Sequence, residues 1–137
     1  RENARQYIAG YAMGLDMTTR GKELLSWRKS ADTYALLGPW FTSADEIADP
    51  NALDLELKVN GVTRQNGSTK TMVYGVKHLV SYLSQFMTLH PGDVISTGTP
   101  PGVGLGMKPP RYLKAGDVVE LGIAGLGQQR QDVIADA

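Results

Sequence analysis

Cysteine is absent from all 137 residues of the chain. Disulfide bonds, a catalytic thiolate and a thiolate-ligated zinc site are therefore excluded. The absence fits a reducing compartment, and together with the lack of a basic-then-apolar leader at the first residues it leads us to expect a cytoplasmic protein.

Net charge is also lacking, because fourteen Lys and Arg residues balance fourteen Asp and Glu residues. No overall field favours nucleic acid or an anionic membrane surface. Long apolar runs are missing too, and none approaches the roughly 20 residues that a membrane-spanning helix needs. We therefore expect neither a nucleic-acid partner nor a membrane partner.

The length is that of one domain, and 42% apolar residues are enough for a hydrophobic core. Residues 53–59 alternate between apolar and polar side chains, which is typical of a strand with one buried face. Asn60-Gly61 then predicts a type I′ hairpin with an antiparallel return over Val62–Gln65, followed by a turn or bulge at Asn66–Ser68. Further strands are expected at four places: Tyr11–Met17, Val94–Thr97, Val118–Ile123 and Arg130–Ile134.

Helical spacing occurs mainly in one segment, from Val73 to Thr88. Val76, Leu79, Val80, Leu83 and Met87 form an apolar stripe, which predicts an amphipathic helix of about four turns. Arg1–Ala9 is expected to be the end of another helix, capped by Gly10. Residues 29–40 and 98–110 are predicted to be irregular. The expected fold class is a β-rich α+β fold with a mixed sheet and one long amphipathic helix.

Asp16 and Arg20 stand four residues apart where an apolar, glycine-containing strand is expected to end. They could form only a surface ion pair. Alternatively, a carboxylate at a strand end suits a hard ion such as Mg²⁺, which needs few protein carboxylates when a substrate supplies oxygens. Lys29 follows in a segment rich in Gly, Pro and aromatic residues; it could be merely solvated, or its ammonium could stabilise an enolate or a carboxylate.

Thr97-Gly98-Thr99-Pro100 is a second candidate segment. It could be only a turn, but Gly98 would let a ligand approach the backbone and Thr99 offers an N–H and a hydroxyl. Gly102-Val103-Gly104-Leu105-Gly106 is not a dinucleotide or phosphate loop, because no helix-forming run follows it. Neither His78 nor His90 pairs in sequence with a Ser or an Asp, so a serine-hydrolase triad is not expected.

In their order and spacing, these segments resemble the fumarylacetoacetate hydrolase family over nearly the whole chain. The resemblance is carried by these stretches: Gly10–Arg20, Arg28–Tyr34, Leu37-Gly38-Pro39-Trp40, Pro91–Pro100, Gly102-Val103-Gly104 and Gly125-Leu126-Gly127. Gly127–Gln131 is most similar to the branch that acts on 2,4-diketo sugar acids, which has ureidoglycolate lyase-like members. Gly21 and Glu23 depart from residues common in the family, and this leaves the choice of substrate open.

The resemblance implies a β-sheet roll and a site built on Mg²⁺ or Mn²⁺. By that resemblance Asp16 is a metal ligand, Arg20 and Lys29 are catalytic, and Arg20, Gly98 and Thr99 bind substrate. A Glu-x-Glu pair supplies the other metal ligands in the family and is expected before Arg1, so residues 1–137 are interpreted as part of a single catalytic domain that lacks its N-terminal portion.

The implied reaction is hydrolysis of a C–C bond in a 2,4-diketo acid, giving pyruvate and a carboxylic acid. Isomerisation of a hydroxymuconate-type diacid and decarboxylation of oxaloacetate remain alternatives, because both reactions also need a site that stabilises an enolate. A non-catalytic β-rich binding module is a third alternative. The implied partners are a small 2-oxo acid substrate and a second copy of the chain in a homodimer.

Overall fold

Eight strands and one helix form the regular structure of residues 3–135, the part of the chain described by this computed structural model. The strands are β1 (Gly10–Tyr11), β2 (Gly14–Asp16), β3 (Ala35–Leu37), β4 (Thr42–Ser43), β5 (Asp54–Val59), β6 (Val62–Ser68), β7 (Val118–Ile123) and β8 (Gly127–Asp132). The helix is α1 (Val76–Leu83). Short 3₁₀ turns lie at Ala4–Tyr7, Trp27–Lys29, Thr69–Thr71 and Gly104–Gly106.

The main sheet has four antiparallel strands in the order β6-β5-β7-β8. Its β5–β6 hairpin confirms the predicted turn, since Asn60 and Gly61 have φ angles of 52° and 75°, as a type I′ turn requires. The register shifts between Leu57 and Lys58, and β6 continues through Ser68. Leu57 and Lys58 face Gln65 and Thr63, so the extra residue of this bulge is Arg64 of β6. The irregularity therefore lies on β6, two residues before the expected Asn66–Ser68.

One face of this sheet carries the apolar core. The register places Leu57 opposite Leu121, so the apolar side chains of β5 and β7 share that face. Met13, Ile47, Leu121 and Leu126 form the buried cluster, against which Leu57 packs. The β-rich part of the fold class is confirmed by this arrangement.

Two smaller two-stranded sheets, β1–β4 and β2–β3, lie on this core side of the molecule, since Met13 between β1 and β2 belongs to the core cluster. Sequence reasoning missed β3 and β4, because both lie in a segment rich in Gly, Pro and polar residues. All strand pairs in residues 3–135 are antiparallel. The expectation of a mixed sheet is therefore wrong for the described part of the chain.

The helix is shorter than predicted. Its α-helical part spans eight residues, Val76–Leu83, instead of Val73–Thr88. Beyond it, the Ser84 hydroxyl and the Gln85 amide both donate to the carbonyl of Ser81, at 3.0 and 3.1 Å. Such side-chain bonds compete with helix continuation, and Met87, which is 54% exposed, gains little burial from another turn.

Two further expectations are wrong. The helix end expected over Arg1–Ala9 with a cap at Gly10 is not found in its described part, where Ala4–Tyr7 form a 3₁₀ turn; residues 1–2 lie outside the described residues. Gly10 instead pairs with Ser43 in β1, where a Cβ atom would collide with the carbonyl of Thr42. Val94–Thr97 is not a strand, because β-branched residues form strands only where a partner strand exists.

The described chain exposes much apolar surface. Its accessible area is 9857 Å², whereas a compact monomer of this length should expose about 7,000 Å². Large exposed side chains include Trp27, Trp40, Phe41 and Phe86. Single exposed apolar residues are ordinary, but this total area exceeds what a self-contained domain leaves in water.

Candidate active site

Asp16 is the last residue of β2, and it lies opposite Ala35 in the β2–β3 register. A loop over residues 17–34 connects the two strands, so the carboxylate stands at the loop end of the hairpin. The strand pairing supplies a rigid support, and the loop supplies further polar groups. This is the strand-end position that the sequence predicted for Asp16.

The loop brings Lys29 onto Asp16. The Lys29 ammonium lies 2.5 Å from Asp16 Oδ2 and also donates to Thr18 Oγ1 at 3.0 Å. Its side chain is 33% exposed, and that of Asp16 is 41% exposed. Lys29 is therefore held by two partners at the edge of solvent, unlike a freely solvated surface lysine.

Backbone hydrogen bonds fix the loop ends that make this contact possible. The N–H of Met17 donates to the carbonyl of Tyr34 at 2.9 Å, and the N–H of Thr19 donates to the carbonyl of Arg28 at 3.0 Å. The second of these bonds joins the residues next to Thr18 and Lys29. The site geometry is thus built by pairing the two ends of one loop.

Asp16 has one carboxylate oxygen left for another ligand. Oδ2 is bound by Lys29, while Oδ1 accepts no hydrogen bond from residues 3–135. A free carboxylate oxygen at a strand end fits the hard oxygen donors that Mg²⁺ and Mn²⁺ take. In the described range no group of three His, Cys, Asp or Glu residues could hold a metal ion. Asp16 by itself is therefore not a complete metal site within the described residues, and its role as a metal ligand stays a prediction.

Arg20 does not pair with Asp16. The alternative of an Asp16–Arg20 ion pair is wrong, because the salt bridge of Asp16 is made with Lys29. Arg20 is exposed and makes no hydrogen bond or salt bridge with residues 3–135. Its guanidinium remains available to an anionic ligand, and its role in substrate binding stays a prediction.

Gly98 and Thr99 lie in an exposed loop that is anchored to β6. The side-chain amide of Gln65 donates to the carbonyl of Pro100 at 2.9 Å. Gly102 lies against the carbonyl of Arg64, where a Cβ atom would collide with it. Within residues 3–135, no hydrogen bond joins this loop to the Asp16–Lys29 pair, so the two predicted parts of the site are held separately.

Thr18 is the site residue that sequence reasoning missed. Its hydroxyl accepts the second hydrogen bond of the Lys29 ammonium. The available signal was its position, two residues after Asp16, but the partner lies eleven residues further along a loop. Nearby, the hydroxyls of Thr19 and Tyr34 are 2.9 Å apart and reinforce the same loop.

A concave surface in the described part of the chain lies away from these residues. A concavity of about 1,100 Å³ lies on the charged face of the main sheet, where Glu56, Lys58, Glu120 and Arg130 alternate in sign. Asp16 does not line it. Alternating charges on an open sheet face are typical of a solvated surface, so we place the candidate site at the β2–β3 loop instead.

Comparison with known proteins gives matches over nearly the whole chain. The family model described as fumarylacetoacetate (FAA) hydrolase, C-terminal, matches residues 1–134. The chain is 49% identical over 138 residues to the 2,4-didehydro-3-deoxy-L-rhamnonate hydrolase of Sphingomonas sp. (strain SKA58), covering 96% of this chain and 48% of the relative.

Solved structures also match nearly the whole chain. The fumarylacetoacetate hydrolase of Exiguobacterium antarcticum is 42% identical with a TM-score of 0.94, and the match covers 98% of this chain and 50% of that one. The maleylpyruvate hydrolase of Sphingobium sp. SYK-6, in complex with manganese(II) and pyruvate, is 38% identical with a TM-score of 0.86 over 97% of this chain and 47% of that one. A probable 2-hydroxyhepta-2,4-diene-1,7-dioate isomerase of Mycobacterium abscessus is 36% identical with a TM-score of 0.92 over 98% and 53%.

The chain spans about half the length of the curated relatives that it matches. Its relatives include both hydrolases and isomerases. Within residues 3–135, no helix has the length and apolar character needed to cross a membrane.

Proposed function

Because the chain belongs to the fumarylacetoacetate hydrolase family, we propose that it forms part of the catalytic domain of a divalent-metal-dependent C–C bond hydrolase. The proposed substrate is a 2,4-diketo acid, either an acylpyruvate or a 2,4-diketo-3-deoxy sugar acid. The products are pyruvate and a carboxylic acid. The name of the 49% identical Sphingomonas relative supports the sugar-acid alternative.

Asp16 is the proposed metal ligand of this chain, and the further ligands are proposed to come from the remainder of a longer protein. The manganese complex of the maleylpyruvate hydrolase supports a divalent cation, Mg²⁺ or Mn²⁺. When bound, the ion supplies Lewis-acid polarisation of the 2-oxo acid oxygens. The free Oδ1 of Asp16 is the oxygen that this chain offers as a ligand to the metal ion.

The single observation that carries the proposal is the fixed ammonium of Lys29. Two of its three N–H groups are taken by Asp16 and Thr18, and the third is free for a substrate oxygen. A positioned cation at a partly exposed site stabilises negative charge that develops on an enolate leaving group. Lys29 is therefore proposed to stabilise the departing pyruvate enolate.

Substrate orientation is assigned to the residues outside that pair. Arg20 is exposed and unpaired within residues 3–135, and its planar fork suits a carboxylate. Thr99, with Gly98 at its side, is proposed to bind a second oxygen of the substrate through its N–H and hydroxyl. These contacts would have to bring the 98–102 loop and the 17–34 loop to the same ligand.

Turnover by the full-length protein tests the proposal. Acylpyruvates and a 2,4-diketo-3-deoxy sugar acid should be hydrolysed with release of pyruvate, measured by a coupled pyruvate assay. Excess chelator should stop turnover, and Mg²⁺ or Mn²⁺ should restore it. Turnover that persists in excess chelator would contradict the metal dependence, and absence of pyruvate from every diketo acid would contradict the reaction.

An isomerase or decarboxylase is the second candidate, favoured by the 36% identity to a probable dienedioate isomerase. Mass spectrometry of the products separates the three reactions. Hydrolysis adds one water and gives two acids, isomerisation conserves the mass of the substrate, and decarboxylation of oxaloacetate releases carbon dioxide. A product of unchanged mass from a hydroxymuconate-type diacid would favour the isomerase.

A homodimer is the proposed assembly. The exposed area of 9857 Å² leaves apolar surface for a partner or for the rest of a longer chain to cover. Light scattering coupled to size-exclusion chromatography of the full-length protein distinguishes a dimer from a monomer. A mass equal to one chain at micromolar concentration would contradict this proposal.

A further inference from the structure

Gln129 is a buried polar residue on the core side of the main sheet. It lies in β8 opposite Leu121, in the register that faces the apolar cluster. Only 8% of its surface is exposed. Burial of an amide costs free energy unless its N–H groups and its oxygen form hydrogen bonds. The hydrogen bonds of Gln129 therefore identify the chain segments that it connects.

The amide of Gln129 joins the main sheet to the base of the β2–β3 hairpin. Its Nε2 group donates to the carbonyl of Met13 at 3.3 Å and to the carbonyl of Gly38. Met13 immediately precedes β2 and Gly38 immediately follows β3, and the N–H of Gly38 donates to the carbonyl of Met13 at 3.0 Å. One side chain thus bridges both strands where the hairpin opens.

The remaining atom of the amide is also used. The side-chain amide of Gln131 donates to Gln129 Oε1 at 3.4 Å. Both N–H groups and the oxygen of Gln129 therefore have partners. A fully satisfied buried polar group has one favoured orientation, and such groups specify how two parts of a core meet.

From this geometry we propose that Gln129 is a positioning residue for the active site, a role that rests on the function proposed above. It fixes the base of the hairpin whose other end carries Asp16. Asp16 lies three residues after Met13, a span of about 10 Å of extended chain. Lys29 is held on Asp16, so displacement at the base moves the carboxylate and the ammonium together.

The consequence for rate follows from how sensitive catalysis is to position. A misplacement of about 1 Å caused far from the reacting atoms can lower a rate about 10²-fold. Loss of the two donors of Gln129 frees the base of the hairpin without removing any group that touches substrate. The turnover number should therefore fall more than KM changes, because every group proposed to touch substrate is still present.

The test compares Gln129→Met with Gln128→Met in the full-length enzyme. Both changes replace an amide by a thioether of similar length on the same strand. Gln128 is exposed and faces the opposite side of the sheet, beside Gly122. We expect kcat to fall about 10²-fold in Gln129→Met with KM within about threefold of wild type, whereas Gln128→Met should stay within about twofold of wild type.

Hydrogen–deuterium exchange gives a readout that needs no turnover. The N–H groups of Met17 and Thr19 close the loop ends by donating to Tyr34 and Arg28. Their exchange should be faster in Gln129→Met than in wild type and unchanged in Gln128→Met. Equal exchange in both variants, or equal kcat, would overturn the positioning role.

The outcomes also separate this inference from the proposed function. If the wild type releases no pyruvate from any diketo acid, the proposed function fails, and the exchange comparison still decides whether Gln129 holds the loop. If Gln129→Met does not fold, Gln129→Asn replaces it, since its amide is one methylene too short to reach both carbonyls. A wild-type kcat in Gln129→Asn would then overturn the inference.

Discussion

Replacement of Lys29 by methionine separates a catalytic ammonium from a structural salt bridge. Lys29→Met keeps most of the side-chain length and removes the charge. In the structure it deletes the 2.5 Å contact with Asp16 and the hydrogen bond to Thr18. The two readouts, stability and rate, should respond very differently.

The effect on stability should be small. The two side chains are 33% and 41% exposed, and ion pairs of that exposure contribute about 0.2–1 kcal/mol because water screens them. The midpoint of thermal unfolding should therefore move by no more than a few degrees. No core volume is lost, because neither Asp16 nor Lys29 belongs to the buried cluster.

The effect on rate should be large. An ammonium that stabilises charge appearing only during the reaction acts on kcat more than on KM. Loss of one such donor costs on the order of 10²–10³ in kcat, or about 2.7–4 kcal/mol of transition-state stabilisation. Lys29→Arg should restore little, since the planar guanidinium places its charge differently.

The matched control is Lys58→Met. Lys58 forms a 3.0 Å salt bridge with Glu56, and the side chains are 40% and 44% exposed, close to the values at the site. Steady-state rates on acylpyruvates and a 2,4-diketo sugar acid, with oxaloacetate as the competing chemistry, should show wild-type kcat for the control. A Lys29→Met variant that keeps wild-type kcat on every substrate would refute the reasoning and return Lys29 to a structural role.

Three other changes test the metal ligand, the core and the pH dependence. Asp16→Asn should abolish turnover in the full-length protein and weaken Mn²⁺ binding measured by calorimetry, with little change of thermal stability in metal-free buffer; unaltered Mn²⁺ affinity would contradict the ligand role. Leu121→Ala should cost about 2–5 kcal/mol in denaturant unfolding, because Leu121 lies in the buried cluster; a loss below about 0.5 kcal/mol would contradict that packing. The pKa of Asp117 is lowered by the hydrogen bond from the Asn60 side chain, so its stabilising effect is present above the unfolded-state pKa and is lost as pH falls through the lower folded-state pKa. Asp117→Asn should therefore destabilise the protein at pH 7 and lose that effect in strong acid, and a difference independent of pH would contradict the assignment.

The local sequence pattern predicted the elements whose conformation depends mainly on neighbouring residues in the chain. Alternation over residues 53–59 and the Asn60-Gly61 pair predicted the β5–β6 hairpin, because side-chain direction alternates along a strand and this turn needs two residues with positive φ. The same local logic predicted Val118–Ile123, which is β7. The position of Asp16 at a strand end was also readable from the chain.

Elements that depend on tertiary partners were the ones missed. Ala35–Leu37 and Thr42–Ser43 are strands only because β2 and β1 lie beside them. Val94–Thr97 has β-branched residues but no partner strand within the described range. The helix ends at Leu83 since the apolar stripe beyond it has no surface to cover, although the periodicity continues to Met87.

The candidate site also has features that the sequence predicts and features that depend on the folded structure. The sequence determined which residue types could do the chemistry, namely a carboxylate, two cations and a glycine-flanked threonine, because those types and their order are present in the chain itself. The pairing of Asp16 with Lys29 instead of Arg20 depends on the folded loop, since thirteen residues of loop must fold back to bring the ammonium to 2.5 Å from the carboxylate. The support from Gln129 is a still longer contact, spanning 116 residues to Met13, and spacing along the chain carries no information about groups that meet only when the sheet and the hairpin pack together.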